Sequence, residues 1–321
     1  MMNLTRAEAA EFLKEQDNYV ILTHARPDGD TVGSSAALCL GLRSLGKTAH
    51  VLRNPGITPR YAWLHEGLTV EEAGENDTII STDVASPGML PQEFQHLLDR
   101  VVLRIDHHGS ATSFTEQELV DPNSASCAEV IWDVLACLGV SPEPRLMDAI
   151  YVGLSTDTGC FRFANTTAHT FRVAAICAQY GAKVFELNQQ LFETNTLGKL
   201  RMQAWMVEHM QMLGGDTMAI CAIPKAVEER LGVSSDDMDN ISNFPRSVAG
   251  VNIAATLREA ENGVVKLSVR AVPGYDATRI AVRFGGGGHK GAAGGTLHMT
   301  MEEAVKAVEE VMTELCQCTA L

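Results

Sequence analysis

No apolar run in the sequence reaches the roughly 18 residues that a membrane-spanning helix needs. The first residues, MMNLTRAEAAEFLKEQ, also lack the basic and then apolar order of a secretory signal peptide. No low-complexity tract and no internal repeat of a fixed short period is present. We therefore expect a globular protein of the cytoplasm that does not bind a membrane.

Cysteine pairs of the CxxC type are missing, although the chain contains eight cysteines. Without such pairs, neither a structural zinc site nor a dithiol redox site is indicated. We expect the cysteines to be reduced thiols in a reducing compartment.

Positive charge is scarce, because 25 lysines and arginines stand against 40 aspartates and glutamates, and the net charge is -15. An acidic surface repels long polyanions. We therefore expect no binding of duplex nucleic acid, unless positive charge is concentrated locally or supplied by metal ions.

The sequence does contain a regular alternation of short apolar runs and helical patterns. With 321 residues, 45% of them hydrophobic, the chain can form two domains at roughly 150 residues per domain. Strands are predicted at 19–23, 49–52, 78–82 and 101–105, and helices at 31–45, 126–139 and 145–154. This alternation predicts an α/β fold with a doubly wound parallel sheet, in which ligands bind beyond the carboxyl ends of the strands.

The predicted domain boundaries follow from a long helical stretch from Thr196 to Met212, which suits a connector, and from a second set of strands that begins after Gly214 and Gly215. Residues 1–190 hold the parallel sheet, residues 191–213 form a helical connector, and residues 214–321 form a second, smaller α/β domain. In that domain, strands are predicted at 218–223, 251–259 and 264–272, with a closing helix at 301–315.

The first predicted strand ends in polar residues with metal-binding chemistry. His24, Asp28 and Asp30 lie in the turn HARPDGD, which Pro27 and Gly29 make tight. Several acids in one turn repel each other unless a cation neutralises them, so the turn indicates a metal site. For this motif alone, the alternative interpretation is an Asp-Gly turn in which Asp30 caps the following helix.

Three further segments place aspartate or histidine at corresponding positions. Asp83 follows the third strand, Asp106, His107 and His108 follow the fourth, and Asp157 lies in the sequence STDTG after a helix. Taken singly, Asp83 could cap a helix, His107 could be a core histidine and Asp157 could anchor a turn. Because four separate segments bring such residues to one edge of the sheet, we interpret them together as one site.

In this order and spacing, the motifs HARPDGD, Asp83, DHH at 106–108 and TDTG at 156–159 resemble the four motifs of the DHH phosphoesterase family. The segment FGGGGHKGAAG at 284–294 resembles the signature of the DHH-associated C-terminal domain. The resemblance covers nearly the whole chain and implies a DHH domain followed by a DHH-associated domain. The compact length resembles the branch of oligoribonucleases and phosphoadenosine-phosphate phosphatases.

The resemblance implies a centre of two divalent metal ions, which are usually Mn²⁺ in this family. One ion would be held by His24, Asp28 and Asp83, and the second by Asp30, Asp83, His107 and Asp157, with Asp83 as the bridge. Independently of the family, four carboxylates and two imidazoles without a thiolate suit Mn²⁺ better than a structural zinc. Two ions about 3.5–4 Å apart can activate a water while neutralising a phosphoryl oxygen.

His108 and Asp106 are expected to take part in the chemistry without holding metal. A histidine that is not needed as a ligand can contact the scissile phosphate or protonate the leaving oxygen, and we predict this role for His108. We predict that Asp106 orients His108 or one of the ligands.

The second domain carries a local excess of positive charge. Between residues 258 and 290, six basic residues stand against three acids, a net charge of +3. We predict that the backbone N–H groups of Gly286, Gly287 and Gly288 approach an anion beside His289, and that Arg270 pairs with a second phosphate. A flexible glycine linker is the alternative interpretation.

We interpret the chain as a Mn²⁺-dependent hydrolase that cleaves short single-stranded oligoribonucleotides (nanoRNA) and 3′-phosphoadenosine 5′-phosphate (pAp), while the smaller domain holds another part of the substrate. Alternatives are a linear or cyclic dinucleotide phosphodiesterase and a single-strand exonuclease of the same superfamily. An inorganic pyrophosphatase is expected to carry a basic Ser-Arg-Lys-Lys run, which is missing. From another class, a non-catalytic nucleotide-binding regulator would be expected to have lost some of the six ligands. The sequence leaves open the preferred substrate, the direction of degradation and the base-stacking residues. It also leaves open the oligomeric state, for which a homodimer is one alternative.

Overall fold

The computed structural model describes residues 2–109, 112–234, 236–238, 240–260 and 263–318 of the chain. Its internal contacts divide the chain into two compact units, Met1–Thr194 and Asn195–Leu321. This division differs from the prediction of a separate connector at 191–213. Met202 and Met206, which lie in the predicted connector, are buried in the second unit against Cys221 and Ile223.

The first unit alternates strands and helices along the chain. Its elements are β1 (Met2–Asn3), α1 (Arg6–Glu15), β2 (Tyr19–Leu22), α2 (Gly29–Ser44), β3 (Ala49–Leu52), α3 (Pro59–Ala62), β4 (Thr69–Val70), β5 (Thr78–Thr82), β6 (Val101–Asp106), β7 (Gln117–Val120), α4 (Cys127–Cys137), α5 (Pro144–Asp157), α6 (Ala168–Gln179) and α7 (Val184–Asn188). Short helical turns lie at Trp63–His65, Pro87–Met89, Gln92–Arg100 and Gln189–Glu193.

The strands of the first unit form one seven-stranded parallel sheet in the order β1-β7-β6-β5-β2-β3-β4. In β2, Tyr19 and Ile21 pack against α1, α2, α4 and α5 on one face, whereas Val20 and Leu22 pack on the other face with Phe94. This alternation with a period of two buries both faces of the sheet. The predicted doubly wound parallel sheet is confirmed.

Two glycines allow α2 and α5 to approach each other closely. A Cβ atom at Gly33 would lie 2.5 Å from the carbonyl oxygen of Ala149, and a Cβ atom at Gly153 would lie 2.7 Å from a carboxylate oxygen of Asp30. Real Cβ atoms do not come this close, so only glycine fits at either position. The close packing brings the start of α2 beside α5, the helix that ends at Asp157.

The second unit is a smaller α/β fold around a mixed sheet. Its elements are α8 (Leu197–His209), β8 (Gln211–Leu213), β9 (Met218–Ile223), α9 (Lys225–Leu231), β10 (Ile253–Glu259), β11 (Val265–Ala271), α10 (Thr278–Ala281), β12 (Gly287–His289), β13 (Ala292–Leu297) and α11 (Met301–Cys318). The sheet order is β12-β13-β11-β10-β9-β8, and only β9 and β10 are paired in parallel. In β9, Met218 and Ile220 face the core formed with α11, and Cys221 and Ile223 face α8.

Within the described part of the chain, no helix combines the length and the apolar character that crossing a membrane requires.

Candidate metal centre

The side chains of the site follow strand ends and helix ends in the first unit. His24 lies two residues beyond the end of β2, Asp83 directly follows β5, and His107 directly follows β6. Asp157 is the last residue of α5. Because neighbouring parallel strands end at the same edge of the sheet, these separate segments meet there, as the sequence predicts.

The structure brings His24, Asp28 and Asp83 together as one group of possible ligands, with their ligand atoms within 4.8 Å of one another. The Nε2 atom of His24 lies 3.7 Å from Asp83 Oδ2 and 4.0 Å from Asp28 Oδ1. Asp28 is also the N-cap of α2, because its Oδ1 accepts the N–H groups of Asp30 and Thr31. The residue that caps α2 is thus Asp28 rather than Asp30, the residue named in the alternative interpretation.

A second group consists of Asp30, His107 and Asp157. The Nε2 atom of His107 lies 3.7 Å from Asp30 Oδ2 and 3.5 Å from Asp157 Oδ2. Asp30 is buried and also accepts the N–H groups of Cys127 (2.6 Å) and Ala128 (2.9 Å) at the start of α4. A carboxylate has about four lone-pair directions, so these bonds leave Asp30 able to ligate a cation.

Asp83 lies between the two groups, with one carboxylate oxygen directed to each. Its Oδ2 lies 3.7 Å from His24 Nε2, and its Oδ1 lies 3.7 Å from His107 Nε2. Thr31 donates its hydroxyl to Oδ2 at 2.5 Å. Among the described residues, none donates a hydrogen bond to the buried Oδ1. The carboxylate therefore has the position expected of a bridge, and one of its oxygens lacks a donor.

The electrostatics of these groups reflect burial together with mutual repulsion. Burial, and then the charges of other aspartates, raise the pKa of Asp83 and of Asp157 well above the usual range. Burial and the charge of Asp28 raise the pKa of Asp30 to about 7. Burial lowers the pKa of His107 to about 4 and also lowers that of His24. Neutral imidazoles thus face carboxylates that are hard to ionise together without a cation.

The residues present fit a centre of divalent cations. When the carboxylates are ionised, a neutral His107 presents its Nε2 lone pair to three carboxylate oxygens at 3.5–3.7 Å, so that only acceptors meet at this point. The oxygen-rich donor set with two imidazoles and no thiolate suits Mn²⁺ or Mg²⁺ more than a structural zinc. The buried Asp83 Oδ1, to which none of the described residues donates a hydrogen bond, can serve as a metal ligand.

His108 and Asp106 form a hydrogen-bonded pair at the edge of the centre. The Nδ1 atom of His108 lies 2.8 Å from Asp106 Oδ1, and the same oxygen accepts the backbone N–H groups of His107 and His108. Burial acts to lower the pKa of His108, but the bond to Asp106 and nearby carboxylates outweigh it and raise that pKa. The structure also places Nδ1 of His108 3.6 Å from Asp83 Oδ1, within ligand distance of the centre.

The glycine run of the second unit has a different structure from the predicted anion nest. The N–H of Gly286 donates to the carbonyl of Ala281, so it is not offered to an anion. Gly287 and Gly288 belong to the edge strand β12, which pairs with β13. A Cβ at Gly286 would lie 2.1 Å from the carbonyl oxygen of Gly294, so close backbone packing already requires this glycine. His289 ends the same strand and is exposed.

Arg270 lies on β11 beside a second arginine. Its Nε donates to Asn243 Oδ1 at 2.8 Å, and its pKa is lowered by burial and by the charge of Arg246. Asn243 was not predicted, because its contact with Arg270 joins a loop and a strand that are distant in the sequence. Two neighbouring guanidinium groups favour an anion as their partner.

Acids from outside residues 258–290 pair with some of the basic residues that give this segment its predicted excess of positive charge. Arg258 forms two hydrogen bonds to Glu228, and Arg283 lies 3.2 Å from Glu314. Both acids come from outside the counted segment. Arg258 and Arg283 are therefore paired with acids, and anion binding by Arg270 stays a prediction.

Comparison with known proteins agrees with these features. The model of the DHH family, N-terminal domain, matches residues 18–154, and that of the DHHA1 domain matches residues 215–314. The bifunctional oligoribonuclease and PAP phosphatase NrnA of Thermus thermophilus is 33% identical over 309 residues, which cover 95% of this chain and 92% of that protein.

Solved structures show the same architecture. The crystal structure of an exopolyphosphatase-related protein from Bacteroides fragilis matches with a TM-score of 0.82 and 25% identity, and covers 96% of each chain. RecJ from Thermus thermophilus, in complex with Mn²⁺, shares the fold at a TM-score of 0.56 and 16% identity, over 96% of this chain and 55% of RecJ. The chain therefore belongs to the DHH phosphoesterase family, as a metal-dependent hydrolase in which a DHHA1 domain follows the DHH domain.

Proposed function

We propose that the protein is a two-metal phosphodiesterase that hydrolyses short oligoribonucleotides and removes the 3′-phosphate of pAp. The observation that carries this proposal is the position of Asp83, which directs one oxygen to each of two ligand groups. The NrnA relative from Thermus thermophilus, an oligoribonuclease and PAP phosphatase by name, supports the choice of substrates.

Two divalent ions, Mn²⁺ in our proposal, would supply an activated water and neutralise phosphoryl charge. The side chains assigned to hold them are His24, Asp28 and Asp83 on one side and Asp30, Asp83, His107 and Asp157 on the other. Asp83 is shared, and Thr31 fixes its orientation through the hydroxyl bond to Oδ2.

His108 is assigned to the leaving group. In the reaction, a water oxygen bonds to phosphorus, the bond from phosphorus to the ribose oxygen breaks, and that oxygen takes up a proton. Asp106 holds Nδ1 of His108 and favours its protonated form, so we assign the transferable proton to Nε2. Asp106 is then a positioning residue for His108.

In the second unit, we assign Arg270 and His289 to a phosphate of the substrate. The support comes from Arg270, whose pKa is lowered by burial and by the charge of Arg246, because an anion beside Arg270 would stabilise its charged form. Gly287 and Gly288 precede His289 on the exposed edge strand, and we assign them to the surroundings of the same phosphate. Gly286 is assigned to packing.

A substrate panel tests the proposal. The purified protein with Mn²⁺ is offered pAp, the dinucleotide pApA, a 5-mer, a 24-mer and pyrophosphate, and products are separated by chromatography. We expect AMP from pAp and pApA, shortening of the 5-mer, and little turnover of pyrophosphate. The Asp83→Asn variant serves as the control for contaminating nucleases. Faster hydrolysis of pyrophosphate than of every nucleotide, or no hydrolysis with either Mn²⁺ or Mg²⁺, would refute the proposal.

A further inference from the structure

Arg6 makes contacts that the proposed reaction does not use. It is the first residue of α1, and its guanidinium reaches two separate segments of the first unit. Its Nη2 lies 2.7 Å from Asp121 Oδ2 and 3.0 Å from Ser124 Oγ, and its Nε lies 2.7 Å from Asp133 Oδ2. Only about a third of the Arg6 side chain is exposed, at 32%.

Asp121 and Ser124 form a turn between β7 and α4 that Arg6 fixes from outside. The N–H of Ser124 donates to the carbonyl of Asp121 at 3.1 Å, and the hydroxyl of Ser124 donates to Asp121 Oδ2 at 3.0 Å. The Oδ2 atom thus accepts from both Arg6 and Ser124. These bonds fix the position of the Ser124 backbone relative to the guanidinium of Arg6.

The carbonyl of Ser124 in turn contacts the proposed ligand His107. It lies 3.3 Å from Nδ1 of His107. Because a carbonyl oxygen can only accept, Nδ1 must carry the hydrogen, and Nε2 then directs its lone pair at Asp30, Asp83 and Asp157. The tautomer and the ring orientation that a metal ligand needs are thus selected by a backbone atom of the turn.

We propose that Arg6 is a positioning residue for His107, acting through Asp121 and the carbonyl of Ser124. The inference rests on the proposed metal centre. Arg6 is not one of the proposed metal ligands, and we assign it no contact with the substrate. Arg6 keeps the carbonyl oxygen of Ser124 where it accepts a hydrogen bond from Nδ1 of His107. The His107 ring is then already oriented for a metal ion before the ion binds.

The third contact of Arg6 provides a matched control. Asp133 lies on α4, accepts from Arg6 Nε and also lies 2.9 Å from His169 Nε2. Within the described residues, Asp133 has no hydrogen bond to Asp121 or Ser124 and is joined to the turn through Arg6. We therefore expect Asp133→Asn to weaken one bond of the same arginine while its bonds to Asp121 and Ser124 remain.

The test is a titration of the full chain with Mn²⁺ alone. Binding is measured by isothermal titration calorimetry and by the Mn²⁺ EPR signal. Outer partners of metal ligands typically change metal affinity about 10- to 100-fold when they are removed. We expect such a loss for one of the two ions in Arg6→Ala and in the milder Asp121→Asn, with the other ion little affected. Arg6→Lys should recover part of the affinity, and Asp133→Asn should bind both ions as the wild type does.

Activity adds a readout that a simple folding defect would not move. Loss of Arg6→Ala activity should be reversed when free Mn²⁺ is raised about 100-fold, because the defect lies in affinity. Wild-type Mn²⁺ binding in both Arg6→Ala and Asp121→Asn, or an equal loss in Asp133→Asn, would overturn the inference. The titration contains no substrate, so a protein that binds two ions normally but cleaves no nucleotide would refute the proposed function and leave this inference intact.

Discussion

Asp83 has a left-handed backbone, with φ 59°, while its side chain is almost fully buried. Aspartate and asparagine tolerate this region better than most other residues with a Cβ atom. The hydroxyl of Thr31 then holds Oδ2 in place. The residue type at position 83 therefore satisfies the backbone as well as the ligand chemistry.

Asp83→Asn separates these two requirements. Asparagine keeps the shape and the tolerance for positive φ but removes the charge, so we expect normal folding by circular dichroism. In excess Mn²⁺, kcat should fall below about one-tenth of the wild-type value and further than for any other proposed ligand, because both ions lose a partner. A variant that retained a tenth of kcat would exclude the bridging role.

His108→Ala should separate chemistry from metal binding. Removing a general acid typically lowers the rate by about 10²–10⁴-fold. We expect elemental analysis to find as much metal as in the wild type, while kcat falls within that range. The possible ligand atoms of Asp83, His107 and His108 lie within 4.8 Å of one another. Loss of one ion from the variant would therefore identify His108 as a metal ligand.

At the same scale, the proposed ligands could be predicted because each lies in a short polar motif at the end of an apolar run. Thr31, Ser124 and Arg6 could not be predicted in this way. Their contacts with Asp83, His107 and Asp121 join distant parts of the sequence, and one of them uses only a backbone carbonyl.

At the scale of elements, α2 was predicted within two residues of its start, and the four central strands β2, β3, β5 and β6 were predicted because both of their faces are apolar. β7 was not predicted, since only Leu119 of its four residues is buried. β13 has the sequence AAGGTL, in which glycine hides the strand pattern. Strands near a sheet edge need less apolar surface and so leave a weaker sequence signal.

His65 fastens the helical turn Trp63–His65 to α2 and should make stability depend on pH. Its Nε2 lies 2.9 Å from Ser35 Oγ and 3.2 Å from the carbonyl of Val32, and burial lowers its pKa to about 4. The unfolded chain, with a pKa near 6.5, binds a proton first as pH falls. The stabilisation is therefore complete above about pH 6.5 and is lost as pH falls towards 4.

Urea unfolding at pH 7 and pH 5, with EDTA in both buffers, measures this effect. We expect the free energy of unfolding of the wild type to fall by about 2 kcal/mol more than that of His65→Gln between the two pH values. Glutamine can still donate to Val32 but does not titrate. If the free energy of unfolding fell equally in the two proteins between pH 7 and pH 5, His65 would take up its proton in the folded state, and the prediction would be wrong.

At the scale of the whole molecule, the net charge of -15 opposes the binding of a long polyanion. Part of the positive charge in the second unit is already paired, as Arg258 with Glu228. The cationic features that we assign to the substrate are Arg270, His289 and the ions of the proposed centre. Additional phosphates of a long strand would meet few additional cations.

We therefore expect kcat/KM to be higher for di- to pentanucleotides and pAp than for a 24-mer. Arg270→Ala should raise KM for the short substrates without changing metal content, whereas Arg283→Ala, which removes a paired surface arginine, should change neither. Initial rates at constant ionic strength measure both effects. Equal efficiency on the 24-mer and the dinucleotide would favour an exonuclease that follows a long strand.

The proposed ligands are spread along the chain from His24 to Asp157. The group of His24, Asp28 and Asp83 forms only after β2 has paired with β5, and the group that contains His107 forms only after β6 has also paired with β5. Pairing of parallel strands with distant partners is a slow step of folding. No complete ligand group exists before that step, so we expect Mn²⁺ to leave the refolding rate unchanged. Interactions that form after the transition state slow unfolding instead. Bound metal should therefore lengthen the lifetime of the folded first unit rather than hasten its formation.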